Sequence, residues 1–338
     1  MPVLIRETVP ALPPVPQSLR ERAKASAGTR GMHDAVAADI EALQAVELVQ
    51  PEAPEAATFP LRVAAWNAER LKFHAPSRAL LERAAADVML LTEIDIGMAR
   101  SGNVHTLAKS LPAGSGWAIA TEFVELGLGD DREKALHAGQ RNTAGIHGNA
   151  IASRWPIAEV AAIGLDDGAL WFTGAQEERR IGGRMAMAAA IDVAGTRIWF
   201  ASIHLESESS PALREVQMLR VLAALDELAG DGPAIIGGDL NTKSHTAGAV
   251  SFDEVARTEP LFARIEAAGF SWREANTEAP TQRARPDGHP APPHRRLDWL
   301  AGRGVSASAP ATLAATDADG VAISDHELVA ATFAPVEA

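Results

Sequence analysis

The sequence predicts an α/β (α+β) fold in which two β-sheets pack on each other and helices cover their outer faces. Short apolar segments with strand-like patterns recur along the chain, whereas the best helix is Ala212 to Leu228, with Val216 and Leu219 among its apolar positions. Many strands and few long helices favour stacked sheets over a helical bundle. The 338 residues, 47% of them hydrophobic, are enough to bury a large core.

Residues 1–60 are predicted to form an N-terminal extension. Prolines are dense from Pro10 to Pro16 and recur up to Pro60, and this density favours extended linkers over a packed core. Two stretches have helical patterns: Ser18 to Ala27 and Ala35 to Leu48. We expect this extension to dock on the main domain or on a partner.

The main domain, residues 61–338, opens with an alternation of strand and helix. A strand is predicted over Leu61 to Trp66, a helix over Ser77 to Ala86 and a buried strand over Val88 to Leu91. Further strands are predicted over Trp117 to Phe123, Asn149 to Ser153, Arg184 to Val193, Arg197 to Ile203, Ala234 to Ile236, Leu297 to Leu300 and Leu328 to Phe333.

Polar residues stand at or just beyond the ends of several predicted strands. Each is a weak signal alone, because Asp and Asn after a strand often only form a turn with their own backbone. The full series, in chain order, is Asn67, Glu93, His204, Asp239 with Asn241, Asp298, and Asp325 with His326. Its order and local contexts resemble the endonuclease/exonuclease/phosphatase superfamily, the DNase I-like hydrolases, over roughly Leu61 to Phe333. The resemblance is most specific at Gly238-Asp239-Leu240-Asn241 and at Ser324-Asp325-His326.

The resemblance implies a four-layer sandwich of two packed mixed β-sheets flanked by helices, and metal-assisted hydrolysis of a phosphoester. Such hydrolysis requires charge neutralisation on the phosphoryl group and an in-line water, and a divalent cation held by carboxylates serves both needs. The chain has no cysteine, so any metal must be held by oxygen or imidazole ligands. This favours Mg²⁺ or Mn²⁺ as the cofactor, as one or two ions.

Four residues are predicted to bind the metal: Glu93, Asn67, Asp325 and Glu69. Glu93 ends an apolar run, so its carboxylate is expected at a strand end, where open-sheet sites gather. The amide of Asn67 carries no charge, and we expect it to orient a phosphate or a carboxylate that binds the metal. Asp325 is expected to bind the metal or hold the water beside His326. Glu69 takes a place similar to that of an acid in the nucleases of the superfamily, and a surface acid is the alternative.

Asp239 and Asn241 are predicted catalytic residues that lie two apart beyond a strand. Both can therefore face one pocket while Leu240 points into the core. In the enzymes that the chain resembles, the aspartate orients or deprotonates the attacking water and the asparagine binds phosphate or metal. His204 ends a strand and is expected to donate a proton to a phosphoryl oxygen, with a structural histidine as the alternative.

Asp298 and His326 are predicted to form a second catalytic unit. A carboxylate bonded to one imidazole nitrogen sets the tautomer and raises the basicity of the other nitrogen. The segment Arg295 to Trp299 is similar to the family's Arg-hydrophobic-Asp-aromatic strand. The alternative is a buried salt bridge between Asp298 and an arginine. Within the pair, His326 acts either as a general base or as a stabilising cation.

Two long connections, Glu122 to His147 and Gly164 to Gly183, are expected to carry substrate specificity. Arginines suit bidentate recognition of phosphate, and aromatic rings pack an apolar or sugar moiety. The predicted substrate-binding residues, in these connections or flanking them, are Asn142, Asn149, Trp171, Arg179 and Arg184. The alternative is a pair of solvated loops with ordinary ion pairs.

The sequence thus predicts a phosphodiesterase for a small-molecule or lipid-derived phosphodiester. Nucleic acid is the alternative substrate, but the net charge of -13 and the lack of a basic run count against it. The chain also has no tyrosine, whereas superfamily members that cleave DNA at abasic sites place one near the scissile phosphate. A catalytically silent ligand-binding protein is the third possibility. We expect a cytoplasmic protein, since no secretory signal and no run of roughly 20 apolar residues occurs.

Overall fold

The computed structural model describes residues 3–52, 55–165, 168–175, 178–285 and 291–336. In chain order the described strands are β1 (Leu4–Ile5), β2 (Thr8–Val9), β3 (Val46–Val49), β4 (Leu61–Arg70), β5 (Val88–Ile96), β6 (Gly116–Glu125), β7 (Ile146–Ser153), β8 (Glu159–Gly164), β9 (Arg180–Gly182), β10 (Met185–Val193), β11 (Thr196–His204), β12 (Ala234–Asp239), β13 (Asp298–Arg303), β14 (Val305–Leu313) and β15 (Leu328–Pro335). The described α-helices are α1 (Gln17–Ala25), α2 (Arg30–Ala37), α3 (His74–Ala84), α4 (Thr106–Ser110), α5 (Asp131–Leu136), α6 (Leu170–Thr173), α7 (Pro211–Ala229), α8 (Phe252–Thr258) and α9 (Leu261–Ala267).

Within the described ranges, these strands form two mixed sheets. A six-stranded sheet has the order β1-β8-β10-β11-β12-β13. A nine-stranded sheet has the order β14-β15-β4-β5-β7-β6-β3-β2, and β9 pairs with β6. The pairs β2 with β3, β4 with β5 and β11 with β12 are parallel. Parallel pairing brings the carboxyl ends of β4 and β5 to one sheet edge, and those of β11 and β12 to one edge of the other sheet.

Three apolar cores separate four layers of structure. Between the sheets, Val63 and Leu90 from one side pack with Met187 and Phe200 from the other. Helices α1 to α4 share a second core with the outer face of the nine-stranded sheet, and α7 to α9 share a third with the six-stranded sheet. Full burial of each such side chain contributes about 1.5–3 kcal/mol. The chain is therefore the four-layer sandwich that the family resemblance implies.

The N-terminal segment contributes strands to both sheets. Strand β1 pairs with β8, whereas β3 pairs with β6 and carries β2 beside it. Leu12, Val15 and Val36 are buried in the core outside the nine-stranded sheet. The predicted helix over Ala35 to Leu48 is wrong beyond Ala37, where α2 ends and the chain continues through a short 3-10 turn into β3. The edge of β6 supplies backbone partners there and Val46 is buried between the sheets, so tertiary contacts override helix propensity.

Helix α7 confirms the predicted long helix and corrects its buried face. It begins after Ser210, whose side chain caps the first turn. Val216 and Leu219 remain 47% and 42% exposed, although their spacing predicts a buried stripe. Arg214 is buried instead, because its guanidinium donates to the buried carboxylate of Glu259 at 2.7 Å. None of the described helices has the length and apolar character needed to cross a membrane.

Candidate active site

The register of the six-stranded sheet sets three predicted catalytic side chains in one row. His204 on β11 lies opposite Asp239 on β12, and Asp239 lies opposite Asp298 on β13. Residues directly opposite each other on paired strands project to the same face of a sheet. All three are buried at the edge where β11 and β12 end. This row is the contribution of one sheet to the site.

The nine-stranded sheet contributes Asn67 from β4 and Glu93 from β5. The register of β5 shifts at Glu93 on both sides, and the residue has a left-handed backbone with φ of 58°. Such a bulge re-aims a side chain, and strained backbone of this kind is typical of functional sites. Asn149 is fully buried; it accepts from the backbone N–H of Glu93 at 3.4 Å and donates to the Met185 carbonyl at 3.0 Å. Asn149 therefore supports the backbone of Glu93.

Asn67 joins the two sheets through its side-chain amide. Its Nδ2 donates to Glu93 Oε1 and to Asp239 Oδ2, at 3.0 Å in each case. The Nε2 atoms of His204 and His326 each lie 3.7 Å from the same Asp239 Oδ2. We call the following six residues the catalytic floor: Asn67, Glu93, His204, Asp239, Asp298 and His326.

His326 and Asp298 form a buried histidine–carboxylate pair. The His326 Nδ1 lies 2.7 Å from Asp298 Oδ2. Burial disfavours the charged imidazole, but Asp298 and Asp239 raise the pKa of His326 well above its ordinary value. The backbone of His326 is held as well, because its carbonyl accepts from Trp66 Nε1 and its N–H donates to Ser324 Oγ, both at 3.0 Å.

His204 belongs to a second buried cluster that includes an acid the sequence did not predict as a site residue. The Nη1 of Arg184 lies 2.8 Å from His204 Nδ1 and donates to Glu122 Oε1 at 2.7 Å. Glu122 Oε2 is 3.4 Å from His204 Nδ1. Burial alone would raise the pKa of Glu122, but His204 and Arg184 lower it to about 2. The sequence does carry one indication that Glu122 has a role in the site. It is a carboxylate within the apolar predicted strand Trp117 to Phe123.

Asn241 holds the Asp239 side chain in position through a hydrogen bond. Its backbone N–H donates to Asp239 Oδ1 and its Nδ2 donates to the Leu205 carbonyl, both at 2.9 Å. Gly238 has φ of 133°, and a Cβ there would lie 2.2 Å from the Ile203 carbonyl oxygen. The glycine of this motif is therefore required by close backbone approach, and the motif presents Asp239 to the floor.

Glu69 and Asp325 form an acidic rim beside the floor. Lys72 Nζ donates to Glu69 Oε1 at 3.0 Å, and Arg285 Nε lies 3.7 Å from Glu69 and 3.4 Å from Asp325. Burial and the neighbouring Asp325 raise the pKa of Glu69. Its Oε2 is buried without a hydrogen-bond partner among the described residues. An unpartnered buried carboxylate oxygen beside further oxygen donors fits a hard divalent cation.

Glu93 is ionised within the floor. Burial by itself raises its pKa, but His204 and His147 hold the pKa of Glu93 below its ordinary range. Among the described residues, the acids and histidines whose ligand atoms lie within 4.8 Å of one another are Asp239, Asp298 and His326. The predicted metal ligands Glu93, Glu69 and Asp325 do not form such a group. Within the group that does form, Asp298 is already bonded to His326, so the group is a hydrogen-bonded pair with Asp239 beside it.

A cavity of about 320 Å³ opens beside Glu93 and His204. We call it the arginine pocket, because its wall includes the guanidiniums of Arg70, Arg100, Arg180 and Arg184. Phe123 and Trp171 complete that wall. Of the predicted substrate-binding residues, Trp171 and Arg184 line the pocket. No local pattern marks Arg70 and Arg100, because their carboxylate partners come from distant parts of the chain.

Asn142 and Arg179, also predicted to bind substrate, make contacts within the protein. Asn142 is buried; it accepts from the Ala99 N–H at 2.8 Å and donates to the Gly127 carbonyl at 2.7 Å. Arg179 donates to the Ser26 carbonyl at 2.6 Å. Both side chains therefore hold loop backbone near the pocket through hydrogen bonds. A polar side chain in a long connection has the same sequence signature whether it binds a ligand or a loop backbone.

Residues 64–326 match the model of the Endonuclease/Exonuclease/phosphatase family. The chain belongs to this family. Family members are generally hydrolases of phosphate esters. The matched segment begins within β4 and ends at His326, so it includes the whole catalytic floor.

Several solved structures share the fold. The human Nocturnin catalytic domain with bound sulfate has a TM-score of 0.54 and 15% identity, covering 86% of this chain and 97% of that one. An endonuclease/exonuclease/phosphatase from Beutenbergia cavernae DSM 12333 has a TM-score of 0.53 and 19% identity, covering 81% and 71%. D. rerio TDP2 complexed with single strand DNA product has a TM-score of 0.50 and 19% identity, covering 82% and 99%. At such identities the similarity shows the DNase I-like fold alone. No curated protein matches the chain.

Proposed function

We propose that this chain is a phosphodiesterase that uses Mg²⁺ or Mn²⁺ to hydrolyse a small-molecule or lipid-derived phosphodiester. The observation that carries the proposal is the convergence of the catalytic floor. An amide, three carboxylates and two imidazoles from both sheets and the C-terminal segment meet around Asp239 Oδ2. Phosphodiester hydrolysis needs this combination of water orientation, proton donation and charge neutralisation.

Asp239 is placed to orient the attacking water, because its Oδ2 is the atom on which the amide of Asn67 and both imidazoles converge. As the P–O bond to water forms, Asp239 accepts a proton from that water, an ester P–O bond breaks and the leaving oxygen takes a proton from His326. We assign His326, whose pKa is raised by Asp298 and Asp239, the role of donating a proton to a phosphoryl or leaving oxygen. Asp298 holds that imidazole in position.

The metal would be held by oxygen donors on the nine-stranded side of the floor and on its rim: Glu93, Asn67, Glu69 and Asp325. When bound, such an ion neutralises charge on the phosphoryl group and polarises it. The unpartnered Oε2 of Glu69 supports this assignment, as does the ionised state of Glu93.

The charges around the site favour a small substrate. Lys72 pairs with Glu69, and Arg283 pairs with Glu327 at 3.1 Å. A polyanionic strand gains affinity mainly from Lys and Arg that neutralise its phosphates, and the chain carries a net charge of -13. The second candidate is a nuclease, because the similar TDP2 structure holds a single strand DNA product. The third, a silent ligand-binding protein, is disfavoured because the catalytic series is complete.

The proposal is tested by comparing a diester with a monoester. We expect bis(p-nitrophenyl) phosphate to be hydrolysed faster than p-nitrophenyl phosphate in Mg²⁺ or Mn²⁺. Asp239→Asn should lower kcat/KM for the diester by about 10³-fold. The matched control is Asp253→Asn, because the Asp253 side chain is 84% exposed.

Three outcomes would contradict the proposal. Normal turnover in Asp239→Asn would show that the catalytic floor does not take part in hydrolysis. Absence of hydrolysis across monoesters and diesters with either metal would favour a silent protein. Faster cleavage of an oligonucleotide than of any small diester would favour the nuclease.

A further inference from the structure

We propose that the protein has a second ligand site, which binds the aliphatic chain of an anionic single-chain amphiphile such as a fatty acid. The site is a cavity of about 740 Å³ between the N-terminal segment and α7, and none of the six floor residues lines it. The inference does not depend on the proposed phosphodiesterase activity. We call the site the aliphatic cavity, because its lining includes Val3, Ile5, Leu43, Met185, Val216 and Leu219.

The outward face of α7 forms one wall of the aliphatic cavity. Residues at the i, i+3, i+4 and i+7 positions of a helix share one face, and four such residues line the cavity: Val216, Leu219, Arg220 and Ala223. Their spacing predicts a buried face, yet Val216 and Leu219 remain half-exposed. This apolar stripe faces a cavity instead of a packed core. A ligand that covers it therefore gains the free energy of burying apolar surface.

The other walls come from the N-terminal segment and from the six-stranded sheet. Ile5 of β1 pairs with Ala162 of β8, and both residues line the cavity. Ala37 of α2 and Leu43 line it from the N-terminal segment, and the buried Met185 lines it from the start of β10. Several elements therefore bound the cavity, and most of the side chains that they present to it are aliphatic.

Size and lining together select the kind of occupant. The volume of about 740 Å³ lies within the range of about 300–1,000 Å³ that is usual for small-molecule sites. A helix about 10 Å across occupies roughly 420 Å³ per turn, so the cavity would hold less than two turns of a partner helix. Among the described residues that line it there is no Phe or Trp on which a planar base could stack. A flexible aliphatic chain suits both the size and the lining.

The charges of the lining indicate an anionic head group. The one carboxylate among the described lining residues, Glu122, accepts from Arg184 at 2.7 Å, so these two charges offset each other. The other charged lining residues are the cations Arg30 and Arg220.

Both of these guanidiniums can share a donor with a ligand carboxylate. Arg30 pairs with Asp34 at 2.8 Å, but this is a half-exposed surface pair and Asp34 does not line the cavity. Pairs of this kind bind weakly, so an incoming carboxylate competes with Asp34 at little cost. Arg220 donates through Nη1 to the Leu165 carbonyl at 2.8 Å, and a guanidinium has five N–H donors in all. An amphiphile with a carboxylate head complements this lining.

The test measures binding by isothermal titration calorimetry on the full chain in metal-free buffer. Sodium octanoate, decanoate and dodecanoate are compared below the concentrations at which they form micelles. We expect Kd to fall about fourfold for each methylene added, because each is transferred from water to an apolar lining. Absence of binding, or a Kd independent of chain length, would overturn the site. Excess inorganic phosphate should not displace dodecanoate; displacement would place the ligand on the catalytic floor and would also overturn the proposal.

The head group is tested with dodecyltrimethylammonium as a competitor of dodecanoate. We expect its Kd to be about tenfold higher than that of dodecanoate, and an equal or lower value would overturn the anionic assignment. The double variant Arg30→Gln with Arg220→Gln should bring the ratio of these two constants toward one. An unchanged ratio in the double variant would refute the role of the two arginines.

A charged substitution on α7 locates the site. Leu219→Glu places a carboxylate on the lining and should raise Kd for dodecanoate about tenfold or more. Leu136→Glu is the matched control, because Leu136 is 67% exposed on α5 and is not among the residues that line the cavity. An unchanged Kd in Leu219→Glu, with folding verified by its melting temperature, would show that the chain binds elsewhere.

Discussion

The catalytic floor and the arginine pocket adjoin each other, yet their polar groups are satisfied in different ways. On the floor, a buried acceptor, Asp298 Oδ1, has no hydrogen-bond partner among the described residues. In the pocket wall, Arg100 is bonded to Asp95 and lies within 3.4 Å of Glu125 and Glu133. The floor keeps this acceptor available for a substrate. The wall leaves Arg70 Nε without a partner among the described residues, but it commits the guanidinium of Arg100 to three carboxylates. We therefore expect floor variants to lose activity first and wall variants to lose stability first.

The largest effect is expected for Arg100→Met. The Arg100 side chain is 2% exposed, and its removal takes the bidentate partner from the buried carboxylate of Asp95 and leaves Glu125 to its ion pair with Arg180. The free energy of unfolding, measured by urea denaturation, should fall by about 3–5 kcal/mol. The control Arg154→Met removes a cation that is 55% exposed and should cost about 1 kcal/mol or less. Equal losses in the two variants would show that the wall has no special role in stability.

A smaller effect, in activity instead of stability, is expected for Asp298→Asn. The amide cannot supply the negative charge that orients the His326 imidazole, so kcat/KM for bis(p-nitrophenyl) phosphate should fall about 100-fold. Unfolding free energy should change by about 1 kcal/mol or less, because the packing is conserved. Asp226→Asn is the control, since Asp226 is 61% exposed. Full activity in Asp298→Asn would contradict the expectation that floor variants lose activity and wall variants lose stability.

The smallest effect is expected for His33→Ala in the N-terminal segment. His33 Nε2 accepts from the Gly182 N–H at 3.0 Å and so holds β9, which carries Arg180, against the pocket. Loss of a bond of about 1 kcal/mol should raise KM for bis(p-nitrophenyl) phosphate about fivefold, with less change in kcat. His33→Gln retains an acceptor and should recover part of the effect. An unchanged KM would show that this segment does not support the pocket.

Sequence reasoning identified the floor more completely than the pocket. Asn67, Glu93 and Asp239 each follow a local apolar run, which is recognised from the sequence. Asp239 ends β12 as expected, but β4 and β5 continue past Asn67 and Glu93 through an irregular register. The arginine pocket was found in part, through Trp171 and Arg184. Glu122 was missed as a site residue because its partners, His204 and Arg184, lie on other strands.

Local composition also misled in two places, and both errors have the same origin. The spacing of Val216 and Leu219 predicts a buried stripe on α7, but the buried pair of Arg214 and Glu259 turns a polar position inward. The segment around Val46 has a helical pattern, but the free edge of β6 converts it to a strand. In each case a long-range partner outweighed a local preference of a few tenths of a kcal/mol per residue.

The sequence by itself determined the strands β4 to β7, β10 to β13 and β15, the long helix α7 and the polar residues that follow apolar runs. These features depend on side-chain periodicity and turn chemistry, which act between near neighbours in the chain. The tertiary structure alone decided that His204, Asp239 and Asp298 form one row, and that Arg100 meets Asp95, Glu125 and Glu133. Strand register and buried ion pairing join residues far apart in sequence, and their energies exist only once the sheets have packed.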